Sequence, residues 1–128
     1  MSKYNAKRIN TVDGVFDSLG EYKYWVFLNT IKNAITSEKK PVEIKRQIKY
    51  KFIVNEVLIG SYIADFVITY TDGSTEVHDF KNPYLLAKGK STPAGAMFQY
   101  KKKLMLALHN IELKIVTNEN TKDRKNKR

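Results

Sequence analysis

Asp79 and Lys81 flank Phe80. In an extended segment residues two apart point to one side, so this acid and this amine share a face. Asp65 lies on the preceding apolar run, between Ala64 and Phe66. The two runs are joined across Thr71-Asp72-Gly73. A three-residue loop with glycine in the left-handed position closes a type I turn with a bulge. That loop pairs Tyr70 with Ser74, and counting back sets Asp65 opposite Asp79 on the same face. Directly paired residues hold their Cβ atoms ~4.5–5.5 Å apart, where like charges destabilise a sheet. A divalent cation between the two carboxylates reverses the sign of that repulsion. Mg²⁺ takes one or two carboxylates plus waters and substrate phosphate, and Mn²⁺ is an alternative occupant. Lys81 would then orient or deprotonate a water, or stabilise charge developing on phosphorus. The competing account is an ordinary Asp–Lys ion pair with the second Asp solvated on an exposed face.

The elements that must position these groups are legible in part. Ser18-Leu19-Gly20-Glu21 is a capping-box pattern and predicts a helix start at Ser18, with Asp17 adding negative charge there. Tyr24, Phe27, Leu28, Ile31 and Ile35 follow at helical spacing, and the helix should end before Pro41. Ile44, Ile48, Tyr50, Phe52 and Val54 then alternate with Lys45, Gln47, Lys49 and Lys51, which predicts a strand with one buried and one basic face. The lysines either protect an edge strand or face phosphates. Tyr62–Tyr70 and Thr75–Lys81 form the hairpin described above. Asn82–Gly95 carries Pro83 and Pro93 and reads as a loop. A second helix is expected from about Ala96 to His109, with Met97, Leu104, Ala107 and Leu108 as its inner stripe. Ile111–Val116 is a last short strand, and Val12–Phe16 a small turn around Asp13-Gly14. Helix, strands, helix, strand is an α/β or mixed α+β order.

Composition bounds the function classes. The chain has 128 residues, enough for a single domain, with 42% apolar residues, so it can bury a core. No apolar run approaches the ~20 residues that cross a bilayer, and no membrane partner is expected. Met1–Asn10 is polar and basic, so no secretory signal and a cytoplasmic location are expected. The absence of cysteine excludes disulfides, thiolate metal sites and cysteine nucleophiles. Lys and Arg number 23 against 13 Asp and Glu, a net charge of +10. Asn118–Arg128 holds five basic and two acidic side chains and no apolar one, so it reads as a solvated tail, either touching phosphates or aiding solubility. The body, 1–117, keeps +7, which favours a polyanionic partner, with nucleic acid foremost.

Asp65 with Asp79-Phe80-Lys81 resembles the catalytic core of the PD-(D/E)XK nuclease superfamily. Lys3-Tyr4-Asn5-Ala6-Lys7, Asp13-Gly14, Phe16-Asp17-Ser18, Glu21, Tyr62-Ile63-Ala64-Asp65-Phe66, and Phe98 with Lys101, Lys103 and Leu104 are similar to a family of small phage-encoded proteins. That family is catalogued as a domain of unknown function and labelled endonuclease-like or Holliday-junction-resolvase-like. The resemblance implies a restriction-endonuclease-like core, a central mixed sheet flanked by helices. It implies a Mg²⁺-dependent DNA endonuclease acting on branched or structured DNA, and a homodimer, since resolvases cut strands in symmetric pairs. The setting it implies is a bacterial cell carrying phage or prophage. Asp65, Asp79, Glu21 and the Phe80 carbonyl would hold the metal, and Lys81 would act on the water or the phosphate. In-line attack on phosphorus would leave a 5′ phosphate. Ala64 replaces the proline of the superfamily's name, Asp79 stands where Glu is also used, and the loop before Ala96 is longer than the family's.

Glu21 has two competing roles, the cap and the site. Candidate DNA contacts are Lys3, Lys7 and Arg8 in the basic arm and Gln99, Lys101 and Lys103 on the second helix, for which a solvated face is the alternative. His78 and Glu76 should point to the side opposite Asp79, as packing or satisfied hydrogen bonds. A nucleic-acid-binding or phage regulatory protein that has the nuclease fold without catalysis is the rival to an enzyme.

Overall fold

The computed structural model describes residues 8–81 and 92–117. Lys3, Lys7, the tail and most of the Asn82–Gly95 segment lie outside the described residues. The fold is mixed α and β, as the element order implied. Strands β1 (Ile9–Thr11) and β2 (Gly14–Phe16) form a small antiparallel hairpin. Helix α1 (Leu19–Lys32) leads into β3 (Pro41–Val54), β4 (Val57–Tyr70) and β5 (Thr75–Phe80). Helix α2 (Pro93–His109) then leads to β6 (Lys114–Val116). The main sheet runs β3-β4-β5-β6, antiparallel except for the parallel β5–β6 pair. No helix among the described residues is long and apolar enough to cross a membrane.

Helix α1 starts as expected, with Ser18 Oγ accepting from the Glu21 N–H at 3.0 Å. It stops earlier than its apolar spacing suggests. Ile35 lies beyond it and is fully exposed, so it is not part of the inner stripe. Asn33 caps the end, its N–H donating to Asn29 O, and the Ala34 N–H donates to Ile31 O. Tyr24 and Leu28 are buried against Phe66 and Ile68 of β4 and Val116 of β6.

The β3–β4 pair is longer than expected. Asn55 and Glu56, both at positive φ, close a two-residue turn of the type that matches the strand twist, and β4 begins at Val57. The strand β3 is the sheet edge, and Lys45, Lys49 and Lys51 are exposed along it. The simple alternation breaks at Gln47, which has φ +55, and the ladder passes from Arg46–Phe66 to Ile48–Ala64 over Gln47 and Asp65. Across this step the even-numbered residues change partners. Ile44, Phe66 and Ile68 belong with α1, whereas Tyr50, Phe52, Tyr62 and Ala64 belong with Met105 of α2. One continuous buried face therefore becomes two. Val54, at the far end, is exposed.

Helix α2 also departs from expectation. It begins at Pro93, not Ala96, because Thr92 caps it by accepting from Gly95 N–H, and proline fits the first helical position. Its buried residue is Met105, with Phe98 and Leu104 packed beside it, while Met97, Ala107 and Leu108 are exposed. The last strand is shorter than Ile111–Val116, since Ile111 still serves the helix cap by donating to Met105 O.

Candidate active site

The β4–β5 turn sets the register. Tyr70 N–H donates to Ser74 O at 2.9 Å and Gly73 N–H to Tyr70 O at 2.9 Å, with Gly73 at φ +87. The ladder then runs Thr69–Thr75, Val67–Val77 and Phe66–His78. Extended by one step, that register sets Asp65 opposite Asp79, as the loop length predicted. The regular ladder ends there. Phe80 N–H, which the register aims at the Ala64 carbonyl, donates to Asp65 Oδ2 at 2.8 Å. In an extended strand a residue's N–H and C=O point to the same side. The Phe80 carbonyl therefore faces Asp65, which fits the ligand role implied for it. Lys81 N–H turns the other way, to Val116 O at 2.8 Å.

Three carboxylates from three elements lie within electrostatic reach of one another where the β4–β5 ladder ends, and each has one oxygen held. Asp65 Oδ2 is held by Phe80 N–H. Asp79 Oδ1 accepts from Tyr62 OH at 2.6 Å. Glu21 Oε2 accepts from Gln47 Nε2 at 3.3 Å. The other oxygens have no hydrogen bond among the described residues. Asp79 Oδ2 is the clearest case, because it is buried and unpaired except for Lys81 Nζ at 3.0 Å. That contact is an ion pair. Lys81 is itself steadied from α2, its Nζ lying 3.9 Å over the Phe98 ring.

Electrostatics separate this cluster from ordinary surface acids. Glu21 and Asp79 are 4% and 5% exposed. Burial, Asp17 and Asp79 push the Glu21 carboxyl up to about 7 against the pull of Arg46. Burial, Asp79 and Glu21 push Asp65 well above the usual carboxylate range, despite its bond from Phe80 and the nearby Lys81. Glu21 thus senses Asp79, and its carboxylate turns to Gln47. The cap at this end is only half of a capping box, made by Ser18 alone.

A cation fits these residues in part. The donors are hard oxygens, one of them buried and orphaned, which suits Mg²⁺ or Mn²⁺. Among the described residues no three acidic or histidine groups stand close enough to form a complete cage. Mg²⁺ needs only one or two carboxylates, with waters and phosphate completing its shell.

The other candidates are dispersed. Gln99 and Lys103 share a face, as expected, and line a shallow groove with Ala96 and Tyr100. Lys101 is half-buried. None of the three bonds to the carboxylates among the described residues. Arg8 is exposed, with its Nε 3.5 Å from Asp17. His78 lies on the opposite side, as predicted, with Nδ1 2.7 Å from Tyr24 OH and Nε2 2.9 Å from Glu76. Tyr70 OH and Lys114 Nζ also donate to Glu76.

Sequence reasoning passed over three residues at the site. Tyr62 was visible only as part of a motif, Gln47 was hidden among alternating lysines, and Arg46 stood on the presumed inner face. Arg46 lies 3.5 Å over the Phe16 ring and donates to Val15 O, joining the β1–β2 hairpin to β3 beside Glu21. The left-handed Gln47 has no signature in sequence, since nothing marks a glutamine for positive φ.

No curated protein and no solved structure matches the chain. The model of the family described as Protein of unknown function (DUF1064) matches residues 1–123, and the chain belongs to that family.

Proposed function

We propose that this protein is a divalent-cation-dependent DNA endonuclease of PD-(D/E)XK type, acting on branched or structured DNA as a homodimer. The observation that carries the reading is a set of three carboxylates, Glu21 and Asp79 buried and Asp65 half-buried, each with one oxygen tied down by a hydrogen bond. Such a set is unfavourable as structure alone, because like charges are held together out of water. Asp65 and Asp79, with Glu21 and the Phe80 carbonyl, would hold Mg²⁺ or Mn²⁺. The cation, when bound, supplies charge neutralisation at the phosphate and a more acidic water.

The chain's own residues have separable tasks. Tyr62 orients Asp79, and the Phe80 N–H orients Asp65, which keeps the free oxygens aimed. Lys81, resting on Phe98, holds a positive charge beside Asp79 where a phosphate oxygen would sit, or moves a proton for the attacking water. The exposed row Lys45, Lys49 and Lys51 supplies sequence-independent attraction to the phosphate backbone.

The test is cleavage of linear, single-stranded, flap and four-way DNA with Mg²⁺, Mn²⁺ or EDTA. Cation-dependent cutting, strongest on branched substrates, is expected. Tight binding without cutting under every condition would instead assign the chain to nucleic-acid-binding or phage regulatory proteins.

A further inference from the structure

We propose that Gln47 is a positioning residue of the cation site, its side-chain amide holding one Glu21 oxygen so that the other is presented to the cation with its charge intact. The proposal deepens the function given above and rests on its assignment of Glu21 to the metal.

Among the described residues, Gln47, Asn55, Glu56 and Asn110 are the non-glycines with positive φ. Three of them have ordinary reasons. Asn55 and Glu56 make the β3–β4 turn, and Asn110 caps the end of α2. Gln47, at φ +55, lies in the middle of β3, where no turn or cap calls for it. A side chain other than glycine is strained there, and such strain persists only where the surroundings hold it, most often beside a functional group. The neighbours of Gln47 are such groups. The pairs Arg46–Phe66 and Ile48–Ala64 set Gln47 level with Asp65, and the β4–β5 register sets Asp65 level with Asp79. Gln47 thus ends a row that crosses three strands and carries two of the three carboxylates. Its Nε2 donates to the third, Glu21 Oε2, at 3.3 Å.

The residue type matters as much as the conformation. Lys45, Lys49 and Lys51 flank Gln47 along β3, and the neutral member of that alternation is the one that touches a carboxylate. A lysine at this position would pair with Glu21 and set a positive charge where a cation is to bind. An amide donates a hydrogen bond and leaves the negative charge in place. Arg46, the preceding residue, has its guanidinium turned to Val15 O and the Phe16 ring. Outer partners of this kind fix the orientation of a metal ligand, and their loss lowers metal affinity roughly 10–100-fold. The competing account is that the left-handed residue only coils the strand, with its amide incidental.

The experiment is a calorimetric titration of Mn²⁺ into the full chain, with thermal melts in EDTA and cleavage of four-way DNA in parallel. Gln47→Gly suits the positive φ and removes the amide. Gln47→Lys keeps a long side chain and adds the charge. The glycine variant should melt within a few degrees of wild type and bind Mn²⁺ roughly tenfold more weakly. The lysine variant should bind Mn²⁺ more weakly still, with no loss of melting temperature, because its ammonium pairs with Glu21. A glycine variant that binds Mn²⁺ as tightly as wild type overturns the proposal, and so does a lysine variant that does. Either result leaves the nuclease reading standing if the wild type cuts. If the glycine variant fails to fold, the lysine variant decides, since it bears the same backbone strain as wild type. A wild type that takes up no Mn²⁺ overturns the proposal together with the metal role of Glu21. The expected order of affinities in a chain that never cuts DNA would support the role of Gln47 and remove the nuclease reading.

Discussion

Strand β5 carries carboxylates on both of its sides, and they meet opposite fates. Glu76 is partly buried, which alone would raise its pKa, but bonds from Lys114, His78 and Tyr70 pull it down to about 2. Asp79, three positions along, has one donor and one orphaned oxygen, and faces Asp65 and Glu21, both pushed upward. The first arrangement is a finished network joining β4, β5 and β6, and through the His78–Tyr24 bond it also fastens α1. The second is sparser: its one close cation is Lys81, 3.0 Å from Asp79 Oδ2, and Asp65 and Glu21 each have a single hydrogen-bond donor among the described residues. Donors are plentiful on the first side and few on the second.

The largest expected effect breaks the sparser side. Asp79→Asn keeps the shape and removes one negative charge from the cluster. Cleavage should fall at least ~10³-fold, because the cation's contribution is several kcal/mol and each ~1.4 kcal/mol is tenfold. Its urea midpoint should move little, since the relief of repulsion from Asp65 and Glu21 offsets the lost Lys81 ion pair and the weaker acceptor for Tyr62. A variant that cuts at the wild-type rate removes Asp79 from the chemistry.

The matching change on the finished side should do the opposite. Glu76→Gln leaves Lys114 and Tyr70 facing a weaker acceptor, and hydrogen bonds to charged groups are worth roughly 1.5–3 kcal/mol. Urea denaturation should show a loss of about 2 kcal/mol, while the cation-dependent cleavage rate of the folded variant stays within a few-fold of wild type. A large loss of rate with unchanged stability would mean that the two sides are not separate.

Titration sharpens the contrast further. The Glu21 carboxyl moves from 4.5 to about 7 on folding, so its contribution to stability is fully present below about pH 4.5 and lost as pH rises through 7. Asp65 moves the same way. Glu76 moves the other way, so its contribution is present above pH 4.5 and lost as pH falls through 2. In EDTA Glu21 and Asp65 therefore pull the melting temperature down between pH 5 and pH 8, against His78, whose pKa is lowered by burial and whose contribution is lost as pH falls. Mg²⁺ binds ionised carboxylates, so it should raise the melting temperature more at pH 8 than at pH 5. Glu21→Gln should remove its share of that downward pull, so its melting temperature relative to wild type should rise from pH 5 to pH 8. A variant whose pH profile runs parallel to wild type would contradict the environment assigned to Glu21.

The finished and sparser sides were not equally legible in the sequence. The Asp65–Asp79 register followed from the length of one glycine-containing loop, because hairpin loops couple backbone twist to pairing. The Ser18 start and the placement of His78 away from Asp79 followed from local rules in the same way. The partners of these residues did not. Tyr62 reaches Asp79, and α1 brings Glu21 beside Gln47, only because the ladder opens between Arg46 and Ile48. That opening rests on a left-handed glutamine that no propensity predicts. Met105 rather than Leu108 fills the core because packing against the sheet sets the rotation of α2, which periodicity alone leaves free.

The smallest expected effect lies at the edge of both regions. The Arg8–Asp17 pair is exposed on both sides, at 3.5 Å, just before the cap that starts α1. Exposed pairs of this kind contribute roughly 0.2–1 kcal/mol and often less. Arg8→Ala should therefore leave the urea midpoint nearly unmoved. Its value lies in what else changes. If Arg8 exchanges Asp17 for a phosphate when DNA binds, the slope of log K against log salt becomes shallower by up to ~0.9, equally on every DNA sequence. Cleavage at saturating DNA should be unchanged, since Arg8 contacts none of the three carboxylates among the described residues. An unchanged slope would leave Arg8 as a surface partner of Asp17 and place the binding charge elsewhere, with Lys45, Lys49 and Lys51 the next positions to neutralise.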